Sequence, residues 1–595
     1  MTQADLRNYY GKRHADYSAT LNSVRAKINN VSNVRLILAA AFLVLLYLGL
    51  TSHGLFYSLP FVLVVFVFYV REHARLFAEK IRLENLQKIQ NQEMHSIDGD
   101  FSHNSSGSEF IDVHHAYTHD LDIFGEGSVF QYMNRGHTRG AKALLARRLS
   151  QKPGSIAEVR QWQEAVSELA TKTDFRQEVQ ALSMQVNEQP HDQRQLAQWI
   201  SEPDFIHGKS PYRLVLNVFP VVTVLLVVLA FFVDGLTPFA IFAAALQWIF
   251  LGFHLRRVKT FHEHISQKKD ALEKYAAILY FIRKENFTSS LMRSLASRAA
   301  QADEKVRRLA KLVRAFDARL NSMTNLVVNS LLMYDLQCVY RLEKWKSENA
   351  SDLMGWLEVI RETEVLCSLG TFSFNHPRFS FPSINSDLLL TARGLGHPLL
   401  REEERVVNDL HADSKQSLLI ITGANMAGKS TFLRSLGVNA VLGLAGAPVC
   451  AEQFDCPMID IRSGMRTADS LKENQSYFYA ELDRLKSIMD ELREGKPLLI
   501  LLDEILKGTN STDKQAGSIA LVKQLVGHSC LAIIATHDLA LGELEESYPG
   551  RVLNYSFEAD ITNGHLFFDY KLKRGIARNM NATFLMKKMG IIPAS

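Results

Sequence analysis

The sequence predicts a multidomain chain that combines four transmembrane helices in two hairpins, an all-α region and a C-terminal α/β domain. Two long uncharged stretches predict the membrane helices, helical periodicity predicts the all-α region, and alternating strands and helices from residue 385 predict the α/β domain. Of the 595 residues, 47% are apolar and 22% are charged, which excludes a disordered or fibrous protein. The net charge of +4 is too small by itself to indicate a nucleic-acid partner.

The two stretches, almost free of charge, run from about residue 34 to 70 and from about residue 214 to 255, and a short polar turn divides each of them. The halves of the first stretch have about 16 residues, near the lower limit for crossing a hydrocarbon core of ~30 Å at ~1.5 Å per residue. Lys and Arg flank both stretches and are absent from both turns, so the positive-inside rule places all soluble segments in the cytoplasm. Buried helices of a large soluble protein are the alternative.

The rest of the chain divides by composition. Residues 256–320 are rich in Lys and Arg, which is typical either of a solvated helix near an anionic membrane face or of a surface that contacts nucleic-acid phosphates. The five cysteines include no CxxC pair, which indicates reduced thiols rather than disulfides or a zinc site. The predicted boundaries are a leader at 1–33, hairpins at 34–70 and 211–255, a linker at 71–114, helical regions at 115–210 and 256–384, and the α/β domain at 385–595.

A phosphate-binding loop follows the predicted strand QSLLIITG and opens a helix. The loop fits G-x-x-x-x-G-K-[ST], in which backbone N–H groups surround phosphates, Lys429 bridges the β- and γ-phosphates, and Ser430 ligates Mg²⁺. The predicted nucleotide-binding residues are Gly423, Ala424, Asn425, Met426, Ala427, Gly428, Lys429, Ser430 and Thr431.

Two further strand ends complete the predicted site. The buried strand KPLLILLDE ends in Asp503, expected to hold Mg²⁺ with Ser430, and in Glu504, expected to polarise the attacking water. His537 follows the strand CLAIIA and would sense the γ-phosphate or steady the water. A helix cap for the two acids and a structural role for the histidine are the alternatives. The residues thus predict an enzyme that hydrolyses a nucleoside triphosphate with Mg²⁺.

The segments TGANMAGKST, LLDEILKGTNSTD and ATHD resemble the ATPase of the MutS mismatch-repair family, which belongs to the wider ABC-type ATPases. DLDIFGEGSVFQYMNRGHTRGAKALLARRL resembles the MutS core domain, and YDLQCVYRLEKW resembles its returning lever helix. FFDYKLKRGIARNMNATFLMKKMGI resembles the C-terminal hairpin and helix of that ATPase. Among these relatives the chain is most similar to the membrane-anchored bacterial branch, which implies a multi-pass protein of the bacterial inner membrane.

The resemblance implies a homodimer in which each ATP lies between one protomer's phosphate loop and residues of the partner. Ser476, in the segment Glu473–Phe478, and Asn510, in the loop after the catalytic acid, are the residues expected to act in trans. Asn474 stands where the family usually has glycine. The N-terminal region holds a membrane hairpin and no Phe-x-Glu wedge, so mismatch recognition is not carried over.

Three functions remain open at this point. The first is a conformational switch, anchored in the lipid bilayer and driven by ATP, that acts on an unidentified cytosolic or membrane protein. The second is DNA binding at the membrane through residues 256–320, with or without mismatch recognition. The third is an ABC-type transporter, although the LSGGQ sequence is absent and four spans would form only a thin conduit.

Overall fold

The computed structural model describes residues 2–51, 57–188, 192–265, 269–320, 322–424, 426–466, 477–506, 510–562 and 565–577. The α-helices are α1 (Gln3–Thr51), α2 (Leu59–Ile97), α3 (Val129–Met133), α4 (Arg139–Ser150), α5 (Ile156–Thr171), α6 (Thr173–Ser183), α7 (Asp192–Ser201), α8 (Ser210–Leu229), α9 (Thr237–Ile265), α10 (Lys269–Lys284), α11 (Ser290–Asp317), α12 (Ser322–Leu332), α13 (Tyr334–Asn375), α14 (Lys429–Leu444), α15 (Tyr477–Arg493), α16 (Ser511–Val526) and α17 (Leu544–Ser547). Short 3₁₀ helices cover Ser108–Phe110, Ala318–Leu320 and Leu539–Glu543.

The strands are β1 (Ser383–Asn385), β2 (Leu390–Leu395), β3 (Asn408–Ala412), β4 (Leu418–Gly423), β5 (Gln453–Pro457), β6 (Asp460–Gly464), β7 (Leu498–Asp503), β8 (Cys530–Thr536), β9 (Val552–Thr562) and β10 (His565–Arg574). The chain forms two compact units. The first comprises Met1–Arg135, Lys142–Arg176 and Val365–Ser595, and the second comprises Gly136–Ala141 and Gln177–Glu364.

A six-stranded sheet in the order β10-β9-β4-β8-β7-β6 forms the centre of the first unit. All neighbouring strands are parallel except β9 and β10, which form an antiparallel hairpin. Strands β4 and β8 are buried along their whole length, as continuous apolar runs require. The predicted α/β domain with a largely parallel sheet is confirmed. A second sheet, in the order β1-β5-β2-β3, contains mostly antiparallel pairs.

Helices α1 and α2 pack side by side within the first unit. Leu21, Val24 and Leu83 form an apolar seam between them, and Arg25 pairs with Glu84 at 2.8 Å. In the structure, residues 3–33 of the predicted leader belong to α1, and the first 27 residues of the predicted linker at 71–114 continue α2 as far as Ile97. The sequence did not indicate this seam, because its apolar residues are few and are separated by polar residues along both helices.

Three helices in the described part of the chain are long and apolar enough to cross a bilayer, namely those within Gln3–Leu50, Ser210–Leu229 and Thr237–Ile265. The second half of the predicted first hairpin differs, because α2 begins at Leu59 and meets Arg71 after about 18 Å of apolar helix. The predicted turn around Thr51–Gly54 lies mostly outside the described residues. Three of the four predicted spans thus meet the length and composition that a bilayer requires.

The elements described in the second unit are all helices. The last residues of the region predicted to be helical, 256–384, are not helical, because α13 ends at Asn375 and β1 begins at Ser383. Its core contains the stacked rings of Trp199 and Trp345, whose centroids are 6.2 Å apart. The apolar helices α8 and α9 pair through a buried glutamine, since Gln247 Nε2 donates to Thr223 Oγ1 at 2.6 Å. This pairing supports the predicted second hairpin.

Candidate nucleotide site

The phosphate loop joins β4 to α14, and its glycines are required by geometry. Gly423 has φ 148°, and a Cβ there would lie 2.4 Å from the carbonyl oxygen of Phe557. Gly428 has φ 105°, and a Cβ there would lie 3.1 Å from the ring of Tyr570. Any side chain would therefore strain or displace the loop, which agrees with a backbone shaped to surround phosphates.

Lys429 begins α14 and is buried against the loop. Its Nζ donates to the carbonyl oxygens of Gly423 at 2.8 Å and Ala424 at 2.9 Å. Ala427 is buried, Met426 is 81% exposed, and Thr431 is exposed in the first turn of α14. Asn425 lies outside the described residues. The ammonium group is thus held inside the curve of the loop, where a bound phosphate could replace the two carbonyls.

The predicted Mg²⁺ ligands are in contact. Ser430 Oγ donates to Asp503 Oδ2 at 2.6 Å, which connects the start of α14 to the end of β7. Both groups supply oxygen, the atom that Mg²⁺ prefers. In the part of the chain that the structure describes, no cluster of three or more His, Cys, Asp or Glu side chains is arranged to hold a metal. The residues present fit a Mg²⁺ that takes its other ligands from phosphates and water, as this ion usually does.

Glu504 and His537 lie together beside this pair. His537 Nε2 is 2.5 Å from Glu504 Oε1, although the approach is not that of a well-directed hydrogen bond. His537 Nδ1 is 2.8 Å from the carbonyl oxygen of Gly423, which can only accept, so Nδ1 carries a proton. Glu504 itself has φ 55°, an uncommon conformation for a non-glycine residue that is typical of functional sites. The histidine therefore connects the phosphate loop with the predicted catalytic acid.

Of the two residues predicted to act in trans, only Asn510 lies in the described part of the chain. Asn510 is the N-cap of α16, where its side-chain oxygen accepts from the backbone N–H of Asp513 at 2.9 Å. This capping role explains the residue locally, and its exposure leaves a role in trans as a prediction. Ser476 and the rest of the segment 473–476 lie outside the described residues.

Asp120 is a positioning residue that the sequence reasoning missed. It is fully buried and accepts hydrogen bonds from Ser463 Oγ at 2.7 Å and from Arg484 Nη1 at 2.8 Å. These bonds fix the end of β6, where Gly464 pairs with Leu502 one residue before the Mg²⁺ carboxylate. The only local signal was a pair of acids in the otherwise apolar segment DLDIF, and its partners lie more than 300 residues away.

An aromatic wall beside the loop was also missed. Tyr570, which is 44% exposed, lies against Gly428, and Phe557 lies against Gly423. Asn408 Nδ2 donates to the carbonyl oxygen of Tyr570 at 3.0 Å and so holds the strand in place. The exposed ring offers a flat surface next to the phosphate loop, which suits contact with a nucleotide.

Comparisons with known proteins agree with this geometry. The family model of MutS domain V matches residues 419–594. A "DNA mismatch repair protein MutS" from Chlorobium chlorochromatii is 32% identical over 243 residues, which cover 39% of this chain and 27% of that protein. The protein of the same name from Thermotoga petrophila is 29% identical over 239 residues, or 40% and 30% of the two chains. The chain thus spans less than a third of the length of these curated relatives.

Proposed function

We propose that this chain, whose residues 419–594 match the family model of MutS domain V, is a membrane-anchored switch of the MutS family that binds and hydrolyses ATP with Mg²⁺. The active form is a homodimer with two composite sites, held in the bacterial inner membrane with its soluble parts in the cytoplasm. The observation that carries the proposal is the meeting of Lys429, Ser430, Asp503, Glu504 and His537 at one edge of the sheet.

The proposed chemistry follows from these contacts. Loop N–H groups bind the phosphates, and Lys429 exchanges its two carbonyl partners for phosphate oxygens. Ser430 and Asp503 would hold Mg²⁺, which supplies positive charge to the β- and γ-phosphates. Glu504 turns from His537 toward the attacking water and accepts its hydrogen bond. The histidine keeps its Nδ1 proton on the Gly423 carbonyl oxygen, and in its doubly protonated form it donates from Nε2 to the charge that develops on the γ-phosphate.

The first membrane hairpin is fastened within the same unit as this site, which suits a switch. Glu93, near the cytoplasmic end of α2, pairs with Arg135 Nε at 2.5 Å and accepts from Asn375 Nδ2 at 2.8 Å. Glu93 and Arg135 are buried, and Asn375 is half-buried. Tyr10 of α1 donates to the same asparagine at 2.8 Å. Burial opposes the charge of Glu93, but the charge and hydrogen bond of Arg135, together with the hydrogen bond from Asn375, hold the pKa of Glu93 below its usual value.

DNA binding remains the second candidate. The basic residues of the 256–320 region are partly engaged within their own unit: Arg283 pairs with Asp303 at 2.9 Å, and Arg314 contacts Glu273. Such pairing reduces the charge available to phosphates, so we favour the switch. DNA binding through this region would weaken linearly in log affinity as log salt rises.

The proposed function is tested by ATP hydrolysis and dimerisation of the detergent-solubilised chain. Glu504→Gln is expected to bind Mg²⁺–ATP but hydrolyse it roughly 100-fold or more slowly, so that the dimer accumulates. Lys429→Ala is expected to lose ATP binding. Glu494→Gln, an exposed site at the end of α15, is the matched control and should resemble the wild type. Normal turnover in Glu504→Gln, or no ATP binding by the wild type, would overturn the proposal.

A further inference from the structure

We infer that α12 lies within the bilayer beside α8 and α9, so that the second unit contacts lipid through three helices instead of two. This inference rests on the proposed membrane anchoring and concerns a segment that the sequence assigned to a soluble helical region. Helix α12 packs against both α8 and α9. Its sequence, SMTNLVVNSLL, contains no charged residue.

Polar contacts place the C-terminal turn of α12 beside the middle of the helical hairpin. Ser330 Oγ accepts a 2.9 Å hydrogen bond from Trp248 Nε1 of α9. Gln247, the residue before Trp248 in α9, donates to Thr223 Oγ1 at 2.6 Å and to the carbonyl oxygen of Phe219 at 3.3 Å. Phe219 is near the middle of α8. If α8 crosses the membrane, Ser330 lies at the depth of the hydrocarbon layer.

The outer face of α12 is apolar and uncovered. Leu326 is 56% exposed, Val327 is 57% exposed and Leu332 is 42% exposed. These fractions are close to that of Val221 on α8, which is 66% exposed. A helix in water would turn side chains of this kind toward a core, whereas lipid tails cover them at no cost.

A proline in α8 gives independent support. Pro220 has no N–H, so it cannot donate the helical hydrogen bond to the carbonyl oxygen of Leu216. Gln337, in the first turn of α13, donates to that oxygen at 3.1 Å. A free carbonyl costs several kcal/mol in hydrocarbon, so this bond satisfies a requirement that water would otherwise meet. The segment that follows α12 is thereby held against α8 within the apolar region.

The occupant that fits this surface is the acyl region of the bilayer. A groove of about 550 Å³ runs between α8 and the α12–α13 junction, lined by six apolar residues and Asn217 of α8 together with Leu332 and Gln337. Duplex DNA has no cation to meet on α12, because binding to phosphates requires Lys or Arg. The surface is also continuous with the lipid-facing side chains proposed for α8.

The test uses the full chain in vesicles of phosphatidylethanolamine and phosphatidylglycerol. Single cysteines replace Leu326 and Val327 on α12, Val221 on α8 and Ser297 on α11, and each is given a nitroxide label. The five native cysteines are buried, and labelled wild-type protein is the blank. Oxygen partitions into lipid and a nickel chelate stays in water, so the relative broadening by the two reagents reports the surroundings of each label.

We expect oxygen to dominate several-fold at Leu326, Val327 and Val221, and nickel to dominate at Ser297, which is exposed on a soluble helix. Nickel dominance at both α12 positions, with oxygen still dominant at Val221, would overturn this inference and leave the proposed anchoring intact. Nickel dominance at Val221 as well would overturn both. Protection of the α12 positions from nickel only after duplex DNA is added would also overturn the inference, in favour of DNA contact.

Discussion

Ser430 Oγ donates a 2.6 Å hydrogen bond to Asp503 Oδ2, so the first turn of α14 is tied to the end of β7 across the sheet. The two residues are 73 positions apart in sequence. They meet because the ends of the parallel strands β4, which precedes Ser430, and β7, which Asp503 ends, lie at the same edge of the sheet. Because both oxygens are proposed Mg²⁺ ligands, the contact marks where the ion would bind.

Replacing Ser430 with alanine should weaken the response to Mg²⁺ more than the binding of nucleotide. We expect the Mg²⁺ concentration for half-maximal hydrolysis to rise at least about tenfold, while ATP affinity measured in EDTA stays near the wild-type value. Ser435→Ala is the control, since that hydroxyl on the same helix only bonds to the carbonyl oxygen of Thr431 at 2.7 Å. An unchanged Mg²⁺ dependence in Ser430→Ala would remove the residue from the metal site.

His537 is expected to position the catalytic acid and the loop. His537→Ala loses the contacts with Gly423 and Glu504, so the rate of hydrolysis should fall at least about tenfold, with KM changed far less. His537→Gln keeps a donor for the Gly423 carbonyl and should recover part of the loss. Steady-state kinetics with both variants measure this split. A larger change in KM than in kcat would indicate a role in binding instead.

The geometry of the candidate nucleotide site was predictable because its parts are local. A continuous apolar run predicts each buried strand, and the loop motif and the acids stand directly at the ends of those runs, at Gly423 and Asp503. Parallel strands then bring these ends together whatever the intervening chain does. Asp120 was not predictable in the same way, because its bonds to Ser463 and Arg484 depend on packing between distant segments.

The long helices with apolar segments show the opposite limit. The distribution of charge divides α1 into a polar half and an apolar half, yet both halves belong to one helix. In the polar half, Leu21 and Val24 pack on α2, and a search for uncharged runs does not detect such isolated apolar residues. A search for long uncharged runs also passes over α12, because its 11 residues are too few to span a bilayer. Its surroundings became visible only through tertiary contacts such as that of Ser330 with Trp248.

The buried pair of Glu93 and Arg135 should be a major support of the docked hairpin. Glu93→Gln leaves the arginine buried without its counter-charge, and we expect a loss of about 3–5 kcal/mol in the free energy of unfolding of this unit. Glu84→Gln is the matched control, because that residue forms the exposed pair with Arg25 and should cost less than about 1 kcal/mol. Urea unfolding in detergent measures both. Equal, small losses would show that the pair does not hold α2 in place.

Acid should destabilise the first unit through His376. Burial lowers the pKa of this imidazole from 6.5 to about 4, with Arg405 and Arg135 nearby adding to the effect, while its Nδ1 donates to the carbonyl oxygen of Phe372 at 2.7 Å. Tyr132 Oη donates to Nε2 at 2.6 Å, so the neutral ring is the form that the fold accommodates.

The sign follows from proton binding. Between pH 6.5 and about 4 the unfolded chain binds the proton and the folded chain does not, so this contribution is complete above pH 6.5 and declines by up to about 1.4 kcal/mol per pH unit as the pH falls. Thermal unfolding at pH 7, 6 and 5 should show a falling midpoint, with a shallower decline in His376→Gln. His114→Gln, at an exposed position, should keep the wild-type slope. If His376→Gln also keeps that slope, the acid sensitivity arises elsewhere, because a group that no longer titrates cannot contribute to the difference in proton binding.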